Sequence, residues 1–246
     1  MSAAKLKKRG LPEGPIQPFD LACACYLYES MTRYAGSLDR FHSKFGTALD
    51  VGREDHRRAL LKFLNDWGCR NLAKEWHGLA SAELDDWYGE ARDLLRLPDG
   101  SPANLDVSRL DGLAKVFNSL AHRIASKPSK RGKQVQVSFG PTATSKSLFA
   151  LMPHTLPAWD EPMRKAFGYD DNGASYVEFV KDVHRKIMQT EQCCRSRGFI
   201  LEDFPARLGR PVAYTTVCQL IIEYYWITIT RKVSLPSKDT AREWLA

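Results

Sequence analysis

Apolar residues recur at helical spacing in segment after segment of this 246-residue chain. The clearest case is the stretch DHRRALLKFLN at 55–65, where Leu60, Leu61 and Leu64 share one face. Other helices are predicted over 19–34, 81–95, 105–124, 145–152, 161–167, 175–193 and 212–230. One stretch, 135–139, alternates like a strand but is too short to imply a sheet. The predicted class is therefore all-α, a compact helical bundle in one domain or in two closely packed lobes.

Composition and charge indicate the kind of partner and the compartment but do not assign a function. Residues 1–17 combine lysines with glycines and prolines, and they are predicted to be a disordered basic lead before a single helical domain at 18–246. The formal net charge is +7, which favours a polyanionic partner over a neutral one. No apolar stretch follows the charged N-terminus, so no secretory signal is expected and the cytoplasm is the expected compartment.

The cysteines and the most apolar segment predict core structure. The six cysteines stand in C-x-C and C-C spacings, which match neither a zinc ribbon nor a C-x-x-C redox motif. Free thiols, several of them buried, are expected. The segment 212–229 is mostly apolar, but Gln219 and Glu223 lie in its middle. A buried core helix is therefore predicted there in preference to a membrane span.

The segment 142–168 places a lysine and an aspartate at the starts of two predicted short helices. Pro153 ends the first helix and Thr144 is its expected N-cap, which puts Lys146 in the first turn. The positive end of the helix dipole disfavours an ammonium group there, and a neutral amine is the form that acts as a nucleophile. Asp160 is the expected N-cap of the second helix, where its carboxylate can stabilise a developing cation.

The run Thr142-Ala-Thr-Ser-Lys146, followed by an apolar helix and then Pro157-Ala-Trp-Asp160, resembles the catalytic core of the helix-hairpin-helix DNA glycosylases. It is similar in particular to the 8-oxoguanine DNA glycosylase branch, and to related bacterial proteins of anti-phage defence. The resemblance implies that Lys146 is the nucleophile and that Asp160 stabilises the oxocarbenium-like sugar. It implies no cofactor and no metal, since the four-cysteine iron–sulfur loop of another branch has no counterpart here.

The resemblance also implies a base pocket and a surface for DNA. Such an enzyme flips a nucleotide out of the duplex and holds the base against aromatic rings. Trp159 is the first candidate for this pocket and His154 the second, while most other aromatic residues, Trp67 and Trp226 among them, are expected in the core. Lys146 and Asp160 are expected to face one cleft. The residues predicted to contact DNA are Lys127, Lys130, Arg131, Lys133, Gly140, Thr142 and Thr144.

We therefore expect a monomeric DNA glycosylase that acts on double-stranded DNA and leaves an abasic site, with or without strand nicking. A modified pyrimidine of phage DNA, such as glucosylated hydroxymethylcytosine, is the preferred substrate, and an oxidised purine such as 8-oxoguanine is the second. Three alternatives stay open: a non-enzymatic DNA-binding protein, a purely structural or interaction role, and a HEPN-type ribonuclease. The last is suggested by Arg70 and His77, whose spacing fits the R-x4-6-H pattern of a helix-borne arginine and histidine.

Overall fold

The computed structural model describes residues 9–45, 49–95, 110 and 112–240, and in these ranges the protein is all-α in class. Its helices are α1 (Pro18–Met31), α2 (Tyr34–Phe45), α3 (Glu54–Asp66), α4 (His77–Leu95), α5 (Leu113–His122), α6 (Gly140–Leu151), α7 (Glu161–Ala166), α8 (Gly173–Arg195), α9 (Phe204–Arg207) and α10 (Val217–Tyr225). Single turns of 3₁₀-helix lie at Lys74–Trp76 and Leu201–Asp203, and a π-helical turn at Trp226–Thr230 follows α10. Four short strands are β1 (Ile124–Ser126), β2 (Ser129–Lys130), β3 (Lys133–Gln134) and β4 (Val137–Ser138).

One apolar core runs through most of the described helices. Helix α1 packs on α10, α5 packs on both α8 and α6, and α3 lies between α2 and α4. Large aromatic side chains fill the centre, and Trp87, Trp159 and Tyr176 are all fully buried. All six cysteines are free, and Cys25, Cys69, Cys194 and Cys218 are buried. Among the described helices, none is long and apolar enough to span a bilayer.

The predicted helices agree with the structure best where the apolar spacing is strongest. Helices α3 and α8 lie within two residues of their predicted limits. The helix predicted over 19–34 is confirmed as α1, but it ends three residues earlier, at Met31. Thr32 takes extended backbone angles, and its hydroxyl accepts a hydrogen bond from Tyr34 N at 3.1 Å, where α2 begins. Ser81 is not a cap but lies inside α4, where its hydroxyl accepts from Arg57 Nε at 3.0 Å. The turn predicted at 98–104 lies outside the described residues.

Residues 9–17 pack against α8, although they belong to the segment 1–17 that the sequence predicts to be a disordered lead, whose residues 1–8 lie outside the described ranges. The ammonium group of Lys186 donates hydrogen bonds to the carbonyls of Pro12 and Gly14. Ile16 is only 4% exposed and belongs to the core. Burial lowers the pKa of Lys186 from its usual value. A buried ammonium and an apolar anchor therefore hold this segment, a tertiary effect that its glycines and prolines did not reveal.

The connection between α5 and α6 is a β-hairpin, which replaces the polar loop predicted at 126–134. Strand β1 pairs with β4 and β2 pairs with β3, both antiparallel. At the tip Arg131 and Gly132 have φ angles of 51° and 77°, the left-handed backbone that a two-residue hairpin turn needs. The side-chain amide of Asn71 donates to the carbonyls of Ser138 and Phe139 at 2.8 and 3.1 Å, which fixes the end of the hairpin to the turn after α3.

Candidate active site

Helix α6 begins earlier than predicted, and this changes the surroundings of Lys146. The helix starts at Gly140, whose φ of 70° turns the chain out of the hairpin, and Pro141 occupies its first turn. Lys146 consequently lies in the second turn, and Thr144 is a fully buried helical residue instead of the N-cap. The expectation that the dipole of its own helix favours a neutral Lys146 is therefore wrong.

The ammonium group of Lys146 meets the end of a different helix. Lys146 is half-buried, and its Nζ donates a hydrogen bond to the carbonyl of Trp67, the C-cap residue of α3. The same Nζ lies 5.4 Å from the centroid of the Trp67 ring. Both the carbonyl end of a helix and the face of an indole attract a cation. Lys146 is thus held in place by α3.

Asp160 caps α7, as the sequence predicts. Its Oδ1 accepts a hydrogen bond from Met163 N at 2.9 Å, and Pro162 lies in the first turn of the helix. Its Oδ2 accepts a second hydrogen bond, from the hydroxyl of Thr230 at 2.7 Å. The side chain is half-buried. Each carboxylate oxygen is therefore held by a different part of the chain, which fixes the orientation of the group.

A buried serine ties the segment that carries Lys146 to the segment that carries Asp160. The hydroxyl of Ser145 accepts a hydrogen bond from Trp159 N at 3.2 Å and lies 3.1 Å from Trp159 O, to which it can donate. Ser145 is fully buried. Because Ser145 directly precedes Lys146 and Trp159 directly precedes Asp160, this pair sets the relative position of the lysine and the aspartate.

Lys146 and Asp160 line one cavity, as predicted, and aromatic side chains form its walls. The cavity is small, with a volume of about 30 Å³. That volume suits one or two water molecules, so the walls must move apart before a base can enter. The aromatic residues other than Trp159 that line it are Tyr28, Tyr34, Trp67 and Trp226. Trp226 packs edge to face against both tyrosines, with ring centroids 5.3 and 5.8 Å apart. The two tyrosines come from α1 and α2, and the sequence analysis did not single them out.

The two predicted base-pocket residues lie in different places. Trp159 borders the cavity, but its side chain is buried, packs against Tyr176 at 5.2 Å and donates from Nε1 to Pro141 O at 3.2 Å. Trp159 therefore forms part of the buried wall of the cavity, and its ring has no exposed face on which a base could stack. His154 lies in the loop after α6 and is not one of the residues that line the cavity.

The basic residues predicted to contact DNA lie on the β-hairpin. Arg131 and Lys133 are exposed at and beside its tip, Lys127 is half-buried beside β1, and Lys130 ends β2. Exposed cations on a two-stranded ribbon suit contact with phosphates, which makes this hairpin the candidate DNA-binding element.

Of the three residues predicted to contact DNA at the start of α6, two are accessible and one is buried. Gly140 and Thr142 are half-exposed in the first turn, whereas Thr144 is fully buried and cannot reach a ligand, so its predicted contact with DNA is wrong. At 1.5 Å of rise per residue, Gly140 lies about 9 Å along the helix from Lys146. The base of the hairpin and the cavity are therefore near neighbours.

The ribonuclease pattern does not fall on one helix. Arg70 is exposed in the turn after α3, and His77 is the first residue of α4. The Nε2 atom of His77 lies 3.0 Å from the side-chain amide of Asn65 and 3.2 Å from the carbonyl of Leu72, both in hydrogen-bonding range. The expectation of a helix-borne arginine and histidine is therefore wrong, and His77 serves the packing of the turn between α3 and α4.

The site has no candidate metal cluster among the described residues and no match among known proteins. In the described ranges, no group of three or more histidine, cysteine, aspartate or glutamate side chains is placed to hold a metal ion. A scan against protein-family models, a search of curated proteins and a search of solved structures each found no match. The fold and the site alone define the class: an all-α protein with a lysine and a carboxylate in one aromatic-walled cavity.

Proposed function

We propose that this protein is a DNA glycosylase that flips a modified nucleotide into the cavity and removes its base. The observation that carries the proposal is that Lys146 and Asp160 line the same cavity, together with aromatic side chains. Cleaving an N-glycosidic bond needs a nucleophile for C1′ and a negative charge near the developing oxocarbenium ion. An extruded base needs flat apolar walls, and Tyr34 and Trp226 are the half-buried aromatic side chains that line the cavity.

The reaction assigns one role to each of the two polar side chains. The carboxylate of Asp160 stabilises positive charge on the sugar as the bond between C1′ and the base breaks, and the base leaves with the bonding electrons and takes up a proton. The Lys146 ammonium, released from the Trp67 carbonyl, gives one proton to the leaving base, and the resulting amine forms the new bond to C1′. Opening of the sugar ring gives a Schiff base, which water hydrolyses to an abasic site or which eliminates and nicks the strand.

The choice of substrate rests on the resemblance of the segment 142–168 to the bacterial anti-phage defence proteins, for which a modified pyrimidine of phage DNA is the expected target. Glucosylated hydroxymethylcytosine of phage DNA is therefore the preferred substrate, ahead of an oxidised purine such as 8-oxoguanine. The exposed Arg131 and Lys133 of the hairpin are assigned to the phosphates of double-stranded DNA.

Borohydride trapping tests the proposal. The protein is incubated with DNA that contains glucosylated hydroxymethylcytosine, with DNA that contains 8-oxoguanine and with unmodified DNA, and is then reduced. Adducts and abasic sites are expected on the first DNA and not on the unmodified one. Lys146→Gln keeps a hydrogen-bond donor for the Trp67 carbonyl, and Asp160→Asn keeps the helix cap. Both variants are expected to lose trapping, whereas Lys165→Ala, which removes an exposed lysine paired with Glu161, is expected to keep it.

One observation favours a second candidate, a DNA-binding protein without catalysis. The hydrogen bond from Lys146 to the Trp67 carbonyl is also what a purely structural lysine would make at the end of α3. In that case Lys146→Gln would bind DNA as the native protein does, and no adduct or abasic site would form on any of the three DNAs. Abasic sites without a trapped adduct would instead keep the glycosylase and remove the covalent role of Lys146.

A further inference from the structure

The π-helical turn Trp226–Thr230 contributes to the cavity at both of its ends. The turn is closed by the hydrogen bond from Arg231 N to Trp226 O, at 2.9 Å, five residues apart. At its start Trp226 forms an aromatic wall, and at its end the Thr230 hydroxyl donates to Asp160 Oδ2 at 2.7 Å. Turns of this kind are rare and occur frequently at functional sites.

The neighbouring threonine shows that the contact between Thr230 and Asp160 is particular to that position. Thr228 lies in the same turn and is half-buried like Thr230, but its hydroxyl donates at 2.8 Å to the carbonyl of Tyr224, four residues earlier. The Thr230 hydroxyl instead donates to a group outside its own helical turn, the Asp160 carboxylate that caps α7. Met163 N already holds Oδ1, so Thr230 is the group that fixes the remaining oxygen.

We propose that Thr230 is a positioning residue for Asp160, which rests on the glycosylase function proposed above. The carboxylate acts by lying at a fixed place beside the sugar when positive charge develops there, and preorganised charge is what makes such a group effective. Without the hydroxyl, Oδ2 is free to turn away, and the transition state loses stabilisation while the binding of DNA, which depends on phosphates and aromatic walls, does not change.

Single-turnover excision kinetics test this role. Thr230→Val, which removes the hydroxyl at nearly constant shape, is expected to lower the rate of excision about tenfold to a hundredfold, the effect of losing a hydrogen bond to a charged group. The DNA concentration that gives half the maximal rate is expected to stay the same. Thr230→Ser keeps the hydroxyl and is expected to have the native excision rate, and Thr228→Val is expected to have the native rate as well. Equal losses in Thr228→Val and Thr230→Val would overturn the proposal.

A double-mutant cycle separates this proposal from the proposed function. Thr230→Val is expected to cause no further loss of rate in the Asp160→Asn protein, since the hydroxyl acts through the carboxylate. Urea unfolding of the same four proteins measures the coupling between the two side chains without any enzyme assay. Coupling in unfolding with no excision on any DNA would refute the glycosylase and keep the contact, whereas the absence of coupling would overturn the role of Thr230.

Discussion

Replacing Ser145 by alanine tests the tie between the two segments that carry the lysine and the aspartate. The fully buried Ser145 hydroxyl accepts a hydrogen bond from Trp159 N at 3.2 Å. Its single proton lies within reach of two carbonyls, Trp159 O at 3.1 Å and Thr142 O at 3.0 Å. The variant leaves Trp159 N without this partner, at a cost of about 1–3 kcal/mol, and removes one donated hydrogen bond, worth about 1 kcal/mol net. We expect the free energy of unfolding to fall by about 2–4 kcal/mol, which for a chain of this size lowers Tm by roughly 4–16 °C.

Ser147 gives the matched control for this change. It lies on the same helix and is fully buried, but its hydroxyl donates at 2.9 Å to Ala143 O, a carbonyl that its own helix already pairs. Ser147→Ala is therefore expected to lower the free energy of unfolding by less than about 1 kcal/mol. Urea unfolding followed by circular dichroism measures both variants, with equal m-values as the test of a common unfolded state. Equal losses in the two variants would refute the reasoning.

Three other changes have expected outcomes. Gly173→Ala is expected to destabilise by more than about 3 kcal/mol, because a Cβ there would lie 2.1 Å from a backbone carbonyl oxygen of α5. In thermal unfolding Gly89→Ala, at an exposed helical position with open space, should instead stabilise by about 0.5–1 kcal/mol. Replacing Arg131 by asparagine, which tolerates the left-handed turn, and Lys133 by glutamine should lower the salt slope of DNA affinity by about 2, and an unchanged slope would exclude the hairpin from the interface. Burial lowers the pKa of His42 from 6.5 to about 4, so stability present above pH 6.5 is lost as the pH falls toward 4. His42→Gln should flatten that part of the stability profile measured by urea unfolding.

The sequence predicts the fold best where local chemistry decides the outcome. The apolar face of α3 and the aspartate-proline start of α7 are local patterns, and both have the predicted structure. The start of α6 has a local signal too, since Gly140 and Pro141 suit the entry into a helix, but Thr144 is also a favoured N-cap residue and predicts a later start. The packing of residues 9–17 has no local signal because Lys186 holds them from α8.

The candidate site divides in the same way. The shared cavity of Lys146 and Asp160 was expected from the resemblance, and the structure contains it. The walls that Tyr28 and Tyr34 supply could not be predicted, because they depend on how α1 and α2 pack against the end of α10. The π-helical turn that brings Thr230 to Asp160 has no signature in composition or spacing.

The aromatic walls of the cavity come from parts of the chain that are far apart in sequence, with Tyr28 on α1, Trp67 after α3 and Trp226 after α10. Contacts between distant segments must overcome loop-closure entropy before they contribute, so they form late in folding. The cavity is consequently complete only once the segments that carry these walls have folded against one another. A molecule bound there would then stabilise the entire fold, and its occupancy can be followed as a shift in the global unfolding midpoint.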